Sequence, residues 1–211
     1  MAGLVRTVEP TLEPVSLQEQ KDHARILDSQ EDALIASYIT AARAQCEATQ
    51  GQAYVTQTWR KQIDRFPVYR RLNPHRAIYL DRPPLQAVTS VTYIATDGTS
   101  TVMPSSDYTV NTDAMPGYIT PRYNTSWPSA QLVPNAVTVV YQAGYGGTGA
   151  SVAATTSAAQ VPVQTKLAIK VLAQHYYQNR DMDTPMPQAV ASLLTSSDHG
   201  CYMVPSPEDY L

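Results

Sequence analysis

The stretch from Ser29 to Trp59 constrains the fold more than any other part of the chain. Ser29, Glu31 and Asp32 open a helical pattern, and Leu34, Ile35, Tyr38, Ile39, Ala42 and Cys46 fall along one face of it. This rhythm marks a helix with a core-facing stripe. Gly51 stops the helix, and a strand-like run begins at once, from Ala53 to Trp59. The next strong helical pattern waits until Leu167. Two helical pieces far apart in sequence, bracketing a block rich in Tyr, Thr and Val, predict a helical frame carrying a β insertion.

Around that join the other elements can be placed. Pro10 and Pro14 make residues 1–15 an extended N-terminal arm. Ser16 with Glu19 forms a capping box, each side chain reaching a free backbone N–H at the start of a first helix. Ser29 with Asp32 is expected to cap the second helix, over 30–50, in the same way. Period-two patterns predict strands near 54–63, 77–81, 88–95, 100–103, 107–111, 117–120 and 136–142. Asp97-Gly98 reads as a hairpin turn with positive φ at both positions. Residues 143–161, rich in Gly, Ala, Ser and Thr, read as a flexible loop. A helix follows over 162–179, with Leu167, Ala168, Val171, Leu172 and His175 inward, then a short helix over 187–194 with Pro187 at its first position. The expected fold is α+β: a helical bundle from 16–50 and 162–194, an inserted β domain over 53–142, and a C-terminal tail over 195–211.

Charge is sparse, at 16% of residues, and the net charge is −3. A net acidic chain is a poor general binder of nucleic acid. Low charge with fourteen tyrosines suits a surface covered by partners, since Tyr offers large contact area at low entropy cost. Arg60, Lys61, Arg65, Arg70, Arg71, Arg76 and Arg82 cluster in sequence and form a candidate docking patch for an acidic partner; solvated strand faces explain the same residues equally well. From Asp181 onward the chain holds Asp181, Asp183, Asp198, Glu208 and Asp209 and no Lys or Arg. Residues Asp198, Cys201, Tyr202, Met203, Val204, Glu208, Asp209, Tyr210 and Leu211 form a candidate contact segment for a partner or a neighbouring copy.

The motifs of catalysis fail one by one. Gly144, Gly146 and Gly149 satisfy G-x-G-x-x-G after a strand, but no helix opens there and the next acid is Asp181, so a flexible glycine loop is the reading. His23, His75, His175 and His199 lack metal-ligand spacing. His175 falls on an apolar helix face and reads as a core residue with one hydrogen bond. No serine elbow is present. Two cysteines make no disulfide scaffold, and Cys46 reads as a buried thiol. No signal-like or membrane-spanning apolar run is present. The expectation is no catalytic, cofactor or metal site. A hydrolytic or carbohydrate-binding β domain, with Trp59, Tyr123 and Trp127 stacking on sugars, is the competing class; an open groove with two facing carboxylates is its signature.

Several segments carry a resemblance. Pro14-Val15-Ser16-Leu17-Gln18-Glu19, then Glu31-Asp32-Ala33-Leu34-Ile35 and Ala41-Ala42-Arg43, resemble the opening of the head–tail connector (adaptor) proteins of tailed bacteriophages. Arg82-Pro83-Pro84-Leu85 with Val88-Thr89-Ser90-Val91-Thr92-Tyr93 is similar to the entry into the β insertion of longer members. Gln142-Ala143-Gly144-Tyr145-Gly146, then Val161-Pro162 and His175-Tyr176-Tyr177-Gln178-Asn179-Arg180, resembles the return to their helical frame. The resemblance runs over about 14–194. It implies a structural virion protein without cofactors: a ring, usually of twelve copies, at the head–tail interface below the portal. Such a ring extends the channel for double-stranded DNA and offers a platform for the tail or the next connector, with no membrane involved. A stopper or tail-completion protein is the nearest alternative. Family members tend to use their C-terminal segment on the portal, so the tail here is expected to reach the portal or an adjacent subunit.

Overall fold

A computed structural model describes residues 3–69, 73, 75–146, 154–179 and 185–196. The elements run β1 (Gly3–Val8), α1 (Leu17–Ala24), α2 (Asp32–Gln50), β2 (Gln57–Ile63), β3 (Ile78–Tyr79), β4 (Leu85–Ile94) and β5 (Ser100–Val102). A 3-10 turn over Ser105–Asp107 precedes β6 (Tyr108–Asn111), β7 (Tyr118–Pro121) and β8 (Val137–Ala143). Helices α3 (Ala154–Ala159), α4 (Val163–Gln178) and α5 (Gln188–Ser196) follow. The fold is α+β, as the sequence predicts.

The helices share one core. Ile35, Ile39, Ala42 and Cys46 of α2 meet Ala168, Ile169 and Leu172 of α4, with Val190 and Leu194 of α5 closing the other side of α4. The α1 capping box forms: Ser16 Oγ accepts from the Glu19 N–H, and a Glu19 carboxylate oxygen accepts from the Ser16 N–H at 2.8 Å. The second expected cap does not. Helix α2 starts at Asp32 with no side-chain cap, because the Asp32 carboxylate turns away to Lys21 Nζ at 2.7 Å and ties α1 to α2. On α4, Ala168 and Leu172 point inward as expected. Leu167 does not, being 39% exposed, since Ile169 and Thr165 take the inner face.

The strands build two antiparallel sheets, β1-β2-β8-β4-β5 and β3-β7-β6. Side chains of both contribute to a second core, with Trp59, Ile63, Leu85, Val91, Val137, Val139 and Tyr141 from the larger sheet and Ile78, Tyr108 and Ile119 from the smaller. Strand β2 alternates buried and half-buried over its whole length, and β8 does the same, so each presents one face to this core. Trp59 pairs with Tyr141, Lys61 with Val139 and Ile63 with Val137.

Three local expectations change. Residues 3–8 of the arm are strand β1, paired antiparallel with β2 and forming the sheet edge. The segment expected as a loop contains α3, whose Ala-rich sequence favours helix; residues 147–153 lie outside the described residues. The Asp97-Gly98 hairpin does join β4 to β5, but only Gly98 has positive φ, at 87°. The Gly98 N–H donates to the Ala95 carbonyl and the Ala95 N–H to that of Thr99, which makes a three-residue loop with glycine in the left-handed position. The adjoining Asp97 carboxylate, which accepts from the Thr99 hydroxyl and N–H, is held below its usual titration range by those bonds.

Candidate functional site

The polar residues converge where frame meets insertion. Gly51, at φ 68°, turns the chain out of α2 in the left-handed conformation, and residues 52–56 cross to β2. The last turns of α2 place Arg43 and Glu47, 2% and 5% exposed, on the inner side of this crossing. One Glu47 carboxylate oxygen accepts from Arg43 Nη1 at 2.6 Å. The other accepts from the Tyr54 N–H at 2.8 Å and from Gln57 Nε2 at 2.5 Å. Arg43 Nε reaches back to Glu13 at 2.7 Å. Arg6 of β1 lies 3.9 Å from Glu47 and pairs with Glu9 at 2.8 Å. Arg82 donates from Nη1 to the Glu47 carbonyl at 3.0 Å. Both Arg6 and Arg82 stand over the Trp59 ring, 5.7 and 5.4 Å from its centroid, within cation–π range.

Arm, helix, crossing and insertion therefore meet on one carboxylate. Burial pushes the Glu47 carboxyl above its usual range, and Arg43, the Tyr54 N–H and Gln57 offset only part of this. Burial also disfavours the charged Arg43 guanidinium, but the Glu47 and Glu13 carboxylates outweigh it and raise its pKa. The neighbouring Cys46 thiol is pushed up to about 12 by burial, so it stays protonated and inert at neutral pH.

Backbone bonds stitch the same place. The Ala53 N–H donates to the Pro83 carbonyl, that of Gly144 to Pro84 and that of Tyr145 to Tyr54. Ser157 of α3 is fully buried there. Its Oγ accepts from the Thr56 N–H at 2.9 Å. Gly144 sits so close that a Cβ on it would lie 2.7 Å from the Thr56 nitrogen, which explains the glycine as packing rather than phosphate binding. Gly149 lies outside the described residues.

The described members of the sequence-predicted patch lie at different places in the fold. Lys61 is buried, with Nζ bonded to the Tyr79 carbonyl at 2.7 Å and to Asp81 at 2.9 Å. Arg82 turns into the join. Arg60 lies on the opposite face of β2 from Lys61, as the strand period requires. Arg65 and Arg76 line a cavity at the other end of the insertion. Arg70 and Arg71, and the tail residues Asp198, Cys201, Tyr202, Met203, Val204, Glu208, Asp209, Tyr210 and Leu211, lie outside the described residues. His175 is half-buried with Nδ1 3.1 Å from Asn179 Nδ2.

The aromatic rings tested for sugar stacking are mostly occupied. Trp59 belongs to the β core. Trp127 stacks on Phe66 with centroids 4.9 Å apart and donates from Nε1 to the Arg76 carbonyl. Tyr123 is exposed, but among the described residues no carboxylate lines the cavities beside Trp127 and Tyr123. Sequence reasoning missed Glu47 as the hub. The signal was present: Arg43 and Glu47, four apart, fall beside Ile39, Ala42 and Cys46 on the buried stripe, where charges must pair.

The helical frame and the inserted pair of sheets are thus joined through buried, mutually paired charges. Residues 14–114 match the family model described as phage gp6-like head-tail connector protein, and the chain resembles that family over this span. Among solved structures, a chain in the neck of an empty GTA particle computed with C6 symmetry is 23% identical. It aligns over 92% of this chain and 93% of its own, with a TM-score of 0.65. A chain in the neck of a native GTA particle computed with C12 symmetry is 24% identical over 92% of each, with a TM-score of 0.62. A chain of the virion of a native gene transfer agent particle gives 23% and 0.63. These likenesses fix the fold across the helical return that the family match does not reach. No curated protein sequence matches the chain.

Proposed function

We propose that the chain is a non-catalytic structural subunit of the neck of a tailed-phage-like particle. It acts as a head–tail adaptor whose copies, twelve in number, form a ring below the portal. The ring lengthens the channel through which double-stranded DNA passes and gives the tail or the next connector a platform. The observation that carries this reading is the end-to-end likeness, over 92% of the chain, to subunits of symmetric necks. The match to the connector family over 14–114 supports it from sequence.

Two physical features agree. The buried charges at the join satisfy one another, so the site rigidifies the subunit instead of offering reactive groups. A net charge of −3 suits a wall that DNA slides past without sticking. The chain is assembled in the host cytoplasm and remains in the virion. Electron-microscopy class averages of the purified protein, alone and with the portal of the same particle, test the reading. A ring seated on the portal is expected; a chain that leaves the portal bare overturns it.

A further inference from the structure

The end of the β insertion away from the join carries a groove that the described residues leave unfilled. Phe66 and Trp127, stacked at 10°, line a cavity of about 450 Å³. Val68, Tyr69 and Leu132 stand around it 53%, 71% and 81% exposed. Arg65 and Arg76 belong to the same wall. Arg76 is shared with a second depression of about 350 Å³, which adds His75, Arg122 and Tyr123. Among the described residues, no Asp or Glu lines either one. An exposed apolar patch rimmed by cations is a binding surface for an apolar, acidic segment.

This chain contains such a segment. Residues 197–211 include Met203, Val204, Pro205, Pro207 and Tyr210, the acids Asp198, Glu208 and Asp209, and no Lys or Arg. Prolines, with φ already fixed, lose little entropy on docking to an aromatic-lined groove. At about 3.3–3.6 Å per residue, this segment spans up to roughly 50 Å from the end of α5, enough to leave its own subunit. We propose that residues 203–211 of a second copy occupy the Phe66–Trp127 groove, with Glu208 and Asp209 against Arg76 and its cationic neighbours. A tail on one face and a groove on another make a heterologous contact, which closes into a ring when the rotation allows. The inference rests on the ring reading only for the presence of that second copy.

The test uses the full chain and a fluorescein-labelled peptide of residues 197–211, followed by anisotropy. Saturable binding is expected, weakened roughly tenfold or more by Arg76→Glu or Leu132→Asp in the protein, or by Glu208→Lys with Asp209→Lys in the peptide. Leu132 is exposed, so its variant keeps its fold, and unchanged thermal melting checks this. Binding that ignores both groove variants overturns the proposal. Binding that appears only when the protein's own tail carries Glu208→Lys and Asp209→Lys overturns it where the unmutated protein sediments as a monomer, since the groove then holds its own chain, and supports it where that protein sediments as an oligomer, since a neighbour's tail then fills the groove. Absence of binding in every combination also overturns it. Rings seen by microscopy, with no peptide binding even to the protein whose own tail carries Glu208→Lys and Asp209→Lys, reject the groove contact and leave the adaptor reading standing.

Discussion

The two ends of the β insertion solve opposite problems. At the join, charged side chains are buried and face one another. At the far groove, Val68, Tyr69 and Leu132 stand exposed beside the stacked Phe66 and Trp127. A buried carboxylate such as Glu47 is costly unless every oxygen finds a donor, and here each does. An exposed Leu132 or Tyr69 costs the isolated subunit little. The proposed contact therefore uses the exposed apolar end, while the paired polar end ties the subunit together.

The sharpest way to break the contrast is Glu47→Ala. It strands Arg43 in the interior with Glu13 as its remaining carboxylate, and should cost about 3–5 kcal/mol in denaturant unfolding. A loss below about 1 kcal/mol would mean that water reaches the join. Ser157→Ala comes next. It leaves the Thr56 N–H without its acceptor and should cost about 1–3 kcal/mol, measured the same way.

A smaller effect is visible in pH. The folded chain holds the Glu47 proton at pH values where the unfolded chain has released it, because burial raises the folded pKa. The stability from this group is thus complete below the unfolded value of 4.5 and declines as pH rises through the folded value. Wild type should lose stability relative to Glu47→Gln as pH rises above the unfolded value. A difference that is flat with pH would show that Glu47 titrates normally. Smallest of all, Tyr123→Ala and Leu132→Ala should change stability by no more than about 0.5 kcal/mol. Larger losses would show that the far end is part of the core after all.

The sequence makes the same division partly legible. Helix α2 and strand β8 are readable because one face of each is mostly apolar at a single period, whereas the buried face of β2 mixes Trp59 and Ile63 with Gln57 and Lys61. Strand β1 is not readable, because an edge strand of Gly, Leu, Val, Arg and Thr buries little and takes its conformation from β2. Helix α3 hides in a composition that also suits loops, and it is held by Ser157 rather than by an apolar stripe. The basic run reads as one patch in sequence. Strand alternation and the turn at Arg82, where φ is 61°, send its described members to four different places. The groove is invisible in sequence because Phe66 and Trp127 meet only through folding.

The position of β8 sets the order in which the molecule can be made. It lies between β2 and β4 in the larger sheet, with Gln57 and Leu85 both pairing with Ala143. Until residues 137–143 have left the ribosome, β2 and β4 have no shared neighbour, and α4 has not yet been synthesised to cover α2. The apolar stripe of α2 must therefore wait through the synthesis of the whole insertion. Such long-range pairing predicts slow folding and a partly built chain that sticks to others. Assembly of the finished subunit would then be limited by the last strand to arrive.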